Sequence, residues 1–184
     1  MFEERAGSLW VGTPQGPARR QAGRFVVRSL GISGTVEIRS MAQDREGNLW
    51  VGTIAQGLFC LRSNAVDRFG PAEGLRNPDA RAVWCEAEGG VWVGTLGGGL
   101  FRLQDGVFKP EPALAGGNLE ISAIFEDREG RLWLGTQSGL ICREPAGWKI
   151  FTARDGLSSD NVRAVVEDLD GSIWIGTDQG PVIY

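Results

Sequence analysis

Apolar and polar residues alternate over short stretches of this chain, and the three-to-four spacing of an amphipathic helix persists nowhere over a useful length. The clearest stretch runs from 119 to 152. It starts with LEISAIFED, which alternates as an inner strand requires, and continues with DREG, a turn in which Asp127 caps backbone amides and Gly130 takes the positive φ of a short hairpin. RLWLGT predicts a second strand, QSG leads to a third, GLICRE, and PAG leads to a fourth, WKIFT. ARDGLSSD then crosses to the next unit.

One phrase recurs five times: SLWVGT, NLWVGT, VWVGT, RLWLGT and SIWIGT. Its tryptophans, Trp10, Trp50, Trp92, Trp133 and Trp174, are separated by 40, 42, 41 and 41 residues. Four antiparallel strands in a repeat of this length predict an all-β chain of β-propeller blades, each burying both faces against its neighbours. The pattern puts blades of one propeller domain at 1–27, 36–69, 80–109, 119–152 and 162–184. The first of these lacks its inner strand and the last its outer one, so three full blades lie between two partial ones. Five complete repeats need roughly 205 residues, which points to a piece of a larger propeller whose open edges and faces favour self-association. The indoles are expected to fill the wedge between adjacent sheets. The Gly-Thr after each, with Gly52, Gly94, Gly135 and Gly176, lets backbones approach and offers a hydroxyl to a turn.

Composition narrows the chemistry more than the fold. Glycine, 28 of 184 residues, is about twice its usual share and fits many tight turns. The net charge is −4, and no window concentrates Lys or Arg, so no nucleic-acid partner is expected. No apolar run approaches the roughly 18 residues of a membrane helix, and MFEERAGSLW lacks the basic start and apolar middle of a secretion signal. No membrane contact by this chain is expected. Histidine is absent, and Cys60, Cys85 and Cys142 show no CxxC spacing, so no metal and no cofactor is called for. DLDG at Asp168 to Gly171 has the look of a calcium loop but lacks the later acidic ligands. Neighbouring carboxylates such as Glu126 with Asp127 point to opposite faces of a strand, which is wrong for an acid and a base acting on one bond. A lyase or hydrolase therefore has little support.

The phrase D-x-x-G-x-L-W-x-G-T, followed by G-L and preceded by G-L-x-x-x-x-V, resembles the two-component regulator propeller repeat. It stands here as DREGNLWVGTIAQGLF, DREGRLWLGTQSGLI and DGLSSDNVRAVVEDLDGSIWIGT, with turn aspartates Asp44, Asp127 and Asp168. The third copy departs with EAEGGVW, where Glu86 takes the place of the aspartate, and the first and last copies carry Gly-Pro for Gly-Leu. The resemblance implies a role as the extracytoplasmic sensor portion of a bacterial histidine kinase or hybrid regulator, in a propeller commonly of seven blades. It also implies a periplasmic location, a ligand that is in several such proteins an oligosaccharide, and a signalling domain or further blades as partners. A structural or protein-interaction propeller is the alternative.

Two groups of polar residues are candidate ligand contacts, because propellers bind where loops of successive blades converge. The turn after Gly-Thr bears Gln15, Gln56, Gln137, Asp178 and Gln179, and the crossings between blades bear Asn77, Asp160 and Asn161. Such side chains pair with sugar hydroxyls and are also ordinary turn formers. Aligning EIRSMAQD, DARAVWCE, EISAIFED and NVRAVVED gives a column of Arg39, Arg81, Ser122 and Arg163. Its guanidiniums suit the carboxylate or sulfate of an acidic saccharide. The competing expectation is that each arginine pairs with a nearby Glu37, Glu120, Asp79 or Asp160.

Overall fold

In the computed structural model, residues 1–4, 7–115 and 118–184 are described. They form five antiparallel sheets, each running in chain order from its innermost strand outwards. Sheet one holds β1 (Phe2–Glu3), β2 (Leu9–Thr13), β3 (Gly16–Gln21) and β4 (Arg24–Val27). Sheet two holds β5 (Ile38–Gln43), β6 (Leu49–Thr53), β7 (Leu58–Leu61) and β8 (Val66–Phe69). Sheet three holds β9 (Ala80–Cys85), β10 (Val91–Thr95), β11 (Gly99–Gln104) and β12 (Val107–Pro110). Sheet four holds β13 (Ile121–Glu126), β14 (Leu132–Thr136), β15 (Gly139–Glu144) and β16 (Gly147–Phe151). Sheet five has three strands, β17 (Val162–Glu167), β18 (Ile173–Thr177) and β19 (Gly180–Ile183). The sheets are thus propeller blades, and sheet one keeps a two-residue innermost strand. Single-turn 3-10 segments at Pro71–Glu73, Pro112–Leu114 and Ala153–Asp155 lie in the crossings.

The chain divides into two compact units, residues 1–93 with 101–109, and residues 94–100 with 110–184. In the first unit, Trp10 packs with Leu49, Val51, Phe59 and Leu61 of sheet two. Trp50, Leu58 and Cys60 pack in turn with Val83, Val91, Val93, Phe101 and Phe108. Phe69 links these halves, 5.3 Å from Trp50 and edge-on to Phe108 at 5.5 Å. In the second unit, Trp133, Leu140, Cys142 and Phe151 pack with Val162, Val165, Ile173 and Ile175. One rule describes all three seams. The indole face of one sheet receives the two residues that flank the indole of the next, because those neighbours point to the opposite face of the strand.

The glycine after each indole makes room for this stacking. A Cβ on Gly52 would lie 2.7 Å from the Ala80 carbonyl oxygen, where the next sheet begins. Gly94 and Gly135 meet Ile121 and Val162 similarly, whereas Gly176 meets only Ala164 of its own sheet. The threonine that follows serves its own hairpin: Oγ1 of Thr13, Thr53, Thr95, Thr136 and Thr177 donates to the carbonyl of Gly16, Gly57, Gly99, Gly139 and Gly180 at 2.6 to 3.1 Å.

Trp10, Trp50, Trp92 and Trp133 are buried, and Trp174 departs from the expected pattern at 37% exposed. Its strand is as apolar as the others. The difference is tertiary, since Trp133 is covered from sheet five, with Tyr184 edge-on at 5.5 Å, and no described strand follows sheet five to cover Trp174.

Candidate functional site

A carboxylate lies six residues before each indole, and in four repeats it accepts a hydrogen bond from the indole Nε1. Trp10 donates to Glu4 at 3.1 Å, Trp50 to Asp44 at 2.9 Å, Trp92 to Glu86 at 2.5 Å and Trp133 to Asp127 at 2.7 Å. The carboxylates of Asp44 and Asp127 also accept from the backbone N–H groups of their own turns, at 2.8 to 3.1 Å. A second side-chain donor completes each set. Arg19 and Arg102 come from the third strand to Glu4 and Glu86. Asn48 and Arg131 come from the turn, to Asp44 at 3.0 Å and Asp127 at 2.7 Å. In those two repeats the third-strand place across from the indole is held by Cys60 and Cys142.

The three arginines stack over the indoles they help to fix, at 5.9, 5.1 and 5.4 Å. Burial alone would raise the Glu4 and Asp127 carboxyls. Hydrogen bonds from the indole and the guanidinium outweigh it and hold both below the ordinary carboxylate value. Burial pushes the Cys60 and Cys142 thiols up to about 11, and all three cysteines are free. These indole–carboxylate clamps tie the second strand of each of the four blades to the turn before it.

The arginine column sits at a bulge. Pairing slips by one residue between Ile38 and Ser40, between Ile121 and Ala123, and between Val162 and Ala164, so Arg39, Ser122 and Arg163 are the residues left out of register. A bulge re-aims its extra side chain, here at the start of the innermost strand. Arg39 pairs with Glu37 at 2.9 Å, Arg81 with Asp79 at 3.5 Å, and Arg163 with Glu120 at 3.7 Å. Arg39 and Arg163 remain exposed alongside these partners, and Arg81 is half-buried.

The turn residues divide into fasteners and free ends. Gln137 fastens the preceding crossing, its Oε1 accepting from the Glu120 N–H at 2.8 Å and its Nε2 donating to the Asn118 carbonyl at 2.6 Å. The carbonyl of Gln56 accepts from Arg68 at 2.8 Å. Gln15 and Gln179 offer exposed side chains, while their backbone N–H groups donate to Thr13 and Thr177. Asn77 accepts from the Asp79 N–H at 2.9 Å, and Asp160 accepts from the Ala153 N–H at 2.7 Å. Asn161 and Asp178 meet at 3.3 Å through their side chains. The hydroxyl of Ser159, then Asn161 and the charge of Arg163, hold the Asp178 carboxyl below its usual range. The second unit therefore gathers Ser159, Asn161, Arg163 and Asp178 into one polar group on sheet five.

The first unit also holds a cavity of about 300 Å³ that the sequence reading did not include. Trp10, Leu49 and Leu61 supply apolar wall, and Arg19, Arg28 and Arg62 supply guanidiniums. Arg28 donates to the carbonyls of Arg62 and Ser63 at 2.8 and 2.9 Å, and Arg62 pairs with Asp67 at 2.9 Å. The Arg19 Nε–H is buried with no acceptor among the described residues. Glu4 and Glu46 line the cavity as well, so its wall carries two carboxylates beside three guanidiniums, and these are already engaged by Glu4, by the two carbonyls and by Asp67. Among the described residues, no helix is long and apolar enough to cross a membrane, and no group of three His, Cys, Asp or Glu side chains is arranged to hold a metal ion.

Comparison with known proteins adds a family to this geometry. Residues 31–55, 116–138 and 156–179 match the family described as Two component regulator propeller. No curated protein sequence matches the chain. Among solved structures, the extracellular domain of BT3049 from B. thetaiotaomicron, named for a hybrid two component system, is 23% identical with a TM-score of 0.81 over 100% of this chain and 28% of that one. The extracellular domain of BT4673 from the same organism is 22% identical with a TM-score of 0.80, over 96% of this chain and 25% of that one. Virginiamycin B lyase from Staphylococcus aureus is 13% identical with a TM-score of 0.75, over 100% of this chain and 68% of that one. At such identities the likeness is one of fold, and this chain spans about a quarter of the length of the two B. thetaiotaomicron domains. With the five repeats and their blades, the family match makes the chain similar to two-component regulator propeller repeats at 31–55, 116–138 and 156–179.

Proposed function

We propose that this chain is a non-catalytic, ligand-sensing stretch of propeller that works outside the cytoplasm as part of a bacterial two-component signalling protein. The observation that carries the reading is the match of three of its repeats to the two-component regulator propeller family. That the similar B. thetaiotaomicron structures are extracellular domains supports the location. The ligand is a small extracellular molecule, an oligosaccharide or acidic saccharide, and the signal passes to a signalling domain or further blades beyond this chain. Exposed guanidiniums at Arg39 and Arg163 suit an acidic sugar.

A lyase reading has less behind it. A virginiamycin B lyase carrying alanine in place of a histidine is described as catalytically inactive, and this chain has no histidine at all. A protein-interaction propeller is the second reading, favoured by Phe25, Val26 and Val27, three consecutive exposed apolar residues on the outer strand of sheet one.

Calorimetric titration with neutral and uronic-acid oligosaccharides tests the sensing role. Saturable binding of a uronic-acid oligomer is expected. Its loss in Arg28→Ala assigns the cavity, and its loss in Arg39→Ala or Arg163→Ala assigns the bulge column. Absence of heat with every sugar, alongside capture of a polypeptide partner, would overturn the reading in favour of the second.

A further inference from the structure

The turn after β13 on sheet four reaches across the seam to the end of β17 on sheet five. The backbone N–H of Arg128 donates to the Glu167 carboxylate at 2.9 Å, its guanidinium Nε lies 3.8 Å from the same oxygen, and its Nη1 donates to the Leu169 carbonyl at 3.0 Å. Backbone and side chain of one residue on sheet four thus hold two groups on sheet five. The Glu167 side chain is only 9% exposed. A carboxylate so covered needs donors, and those it finds belong to the neighbouring sheet.

Sheets two and three use the same place differently. Arg45 stands where sheet four has Arg128, and its guanidinium donates to the Glu88 carbonyl at 3.1 Å. Cys85 stands where sheet five has Glu167, so that seam has no carboxylate at the place that receives the Arg128 N–H. β17 is also tied to sheet four near its start, where Arg163 pairs with Glu120 at 3.7 Å. The charges are crossed: sheet four brings a carboxylate to one end of β17 and a guanidinium to the other, and β17 brings the reverse. Between these ties, Trp133 packs with Ile173 and Ile175, an apolar contact without direction of its own. The crossed pairs fix which residues stand opposite one another.

We propose that Arg128 and Glu167 form a strap across the seam, which makes the turn ends of sheets four and five open and close together. Opening the sheet-four turn moves Arg128 and strips Glu167 and the Leu169 carbonyl of their donors. Opening the sheet-five turn removes the acceptors of Arg128. Local opening therefore costs both turns at once, and the two share one opening free energy.

Amide hydrogen exchange of the 184-residue chain, followed by NMR, tests this residue by residue. Arg45 and Arg128 both lie in Asp-Arg-Glu-Gly, so their N–H groups have matching intrinsic rates. The Arg128 N–H is expected to exchange about tenfold more slowly than that of Arg45. Glu167→Ala, on sheet five, is expected to erase that difference and to speed exchange at Gly130, which closes the sheet-four turn, about threefold. Arg128→Ala, on sheet four, is expected to speed exchange at Asp168 and Gly171, which close the sheet-five turn, by a similar factor. A purely local role for either residue leaves the opposite turn unchanged. An Arg128 N–H as fast as that of Arg45, or variants that alter only their own turn, overturns the proposal. Alanine already holds this turn position in sheet three, as Ala87. Should Glu167→Ala lose the parent's β-sheet circular dichroism spectrum, Glu167→Cys replaces it with the same readout, since Cys85 is the residue that sheet three carries there.

Discussion

The fourth and fifth repeats carry nearly the same phrase, DREGRLWLGT and DLDGSIWIGT, and use it differently. In the fourth, Asp127 is buried and accepts from Trp133, from Arg131 and from two backbone N–H groups of its turn. In the fifth, Asp168 is exposed, and among the described residues no hydrogen bond joins it to Trp174. Two absences account for this. The donor position four residues after the aspartate is Ser172 instead of Arg131, and the third-strand place across from the indole is Ile183, where sheets one and three put Arg19 and Arg102. The indole is also 37% exposed, so water reaches the pair. A repeat phrase thus sets up the local geometry, and the donors and the next sheet decide whether that geometry is held tightly.

Substitutions in the two repeats should separate sharply in urea denaturation. Trp133→Ala removes a fully buried indole and is expected to cost about 3–5 kcal/mol, against about 1–3 kcal/mol for the partly open Trp174→Ala. Equal losses would show that the fifth indole is covered in solution. Asp127→Ala leaves the Trp133 Nε1–H without its acceptor and should cost about 1–3 kcal/mol, whereas Asp168→Ala should stay within about 0.5 kcal/mol.

Acid should loosen the clamp of the fourth repeat. Asp127 in the folded chain titrates below its unfolded value, so its contribution is fully present above about pH 4 and is lost as pH falls through the depressed folded value. The urea midpoint of Asp127→Asn should accordingly fall less on acidification than that of the parent. The smallest effect is a gain. Ser172→Arg gives the fifth repeat the donor of the fourth and should add about 0.3–0.5 kcal/mol, read as a small rise in midpoint that vanishes in an Asp168→Ala background.

Most of the fold could be read from the phrase itself, because an indole at fixed spacing with Gly-Thr behind it leaves few other uses for the chain. The clamp was also written there, as Glu4, Asp44, Glu86, Asp127 and Asp168 at a constant six residues before the indole. Reading the aspartate only as a backbone cap hid it, and made Glu86 look like a departure when its carboxylate reaches the indole as the shorter ones do. The bulges under Arg39, Ser122 and Arg163 leave no mark in alternation, since a one-residue slip at a strand start looks like the start of the strand. Exposure of Trp174 depends on what lies beside its sheet, which no local pattern encodes. The arginine-lined cavity joins residues from two repeats, Arg19 and Arg28 with Arg62, that share no motif.

Every clamp is drawn from a single repeat: Glu4 to Arg19 is 15 residues, Glu86 to Arg102 is 16, and Asp127 to Trp133 is six. A genetic exchange that cuts between repeats therefore moves each clamp whole. Duplication or loss of one unit then leaves every remaining indole with its own carboxylate. Such a chain can change its length in steps of one repeat over evolutionary time without first inventing new polar contacts, and only the apolar seams have to be matched again.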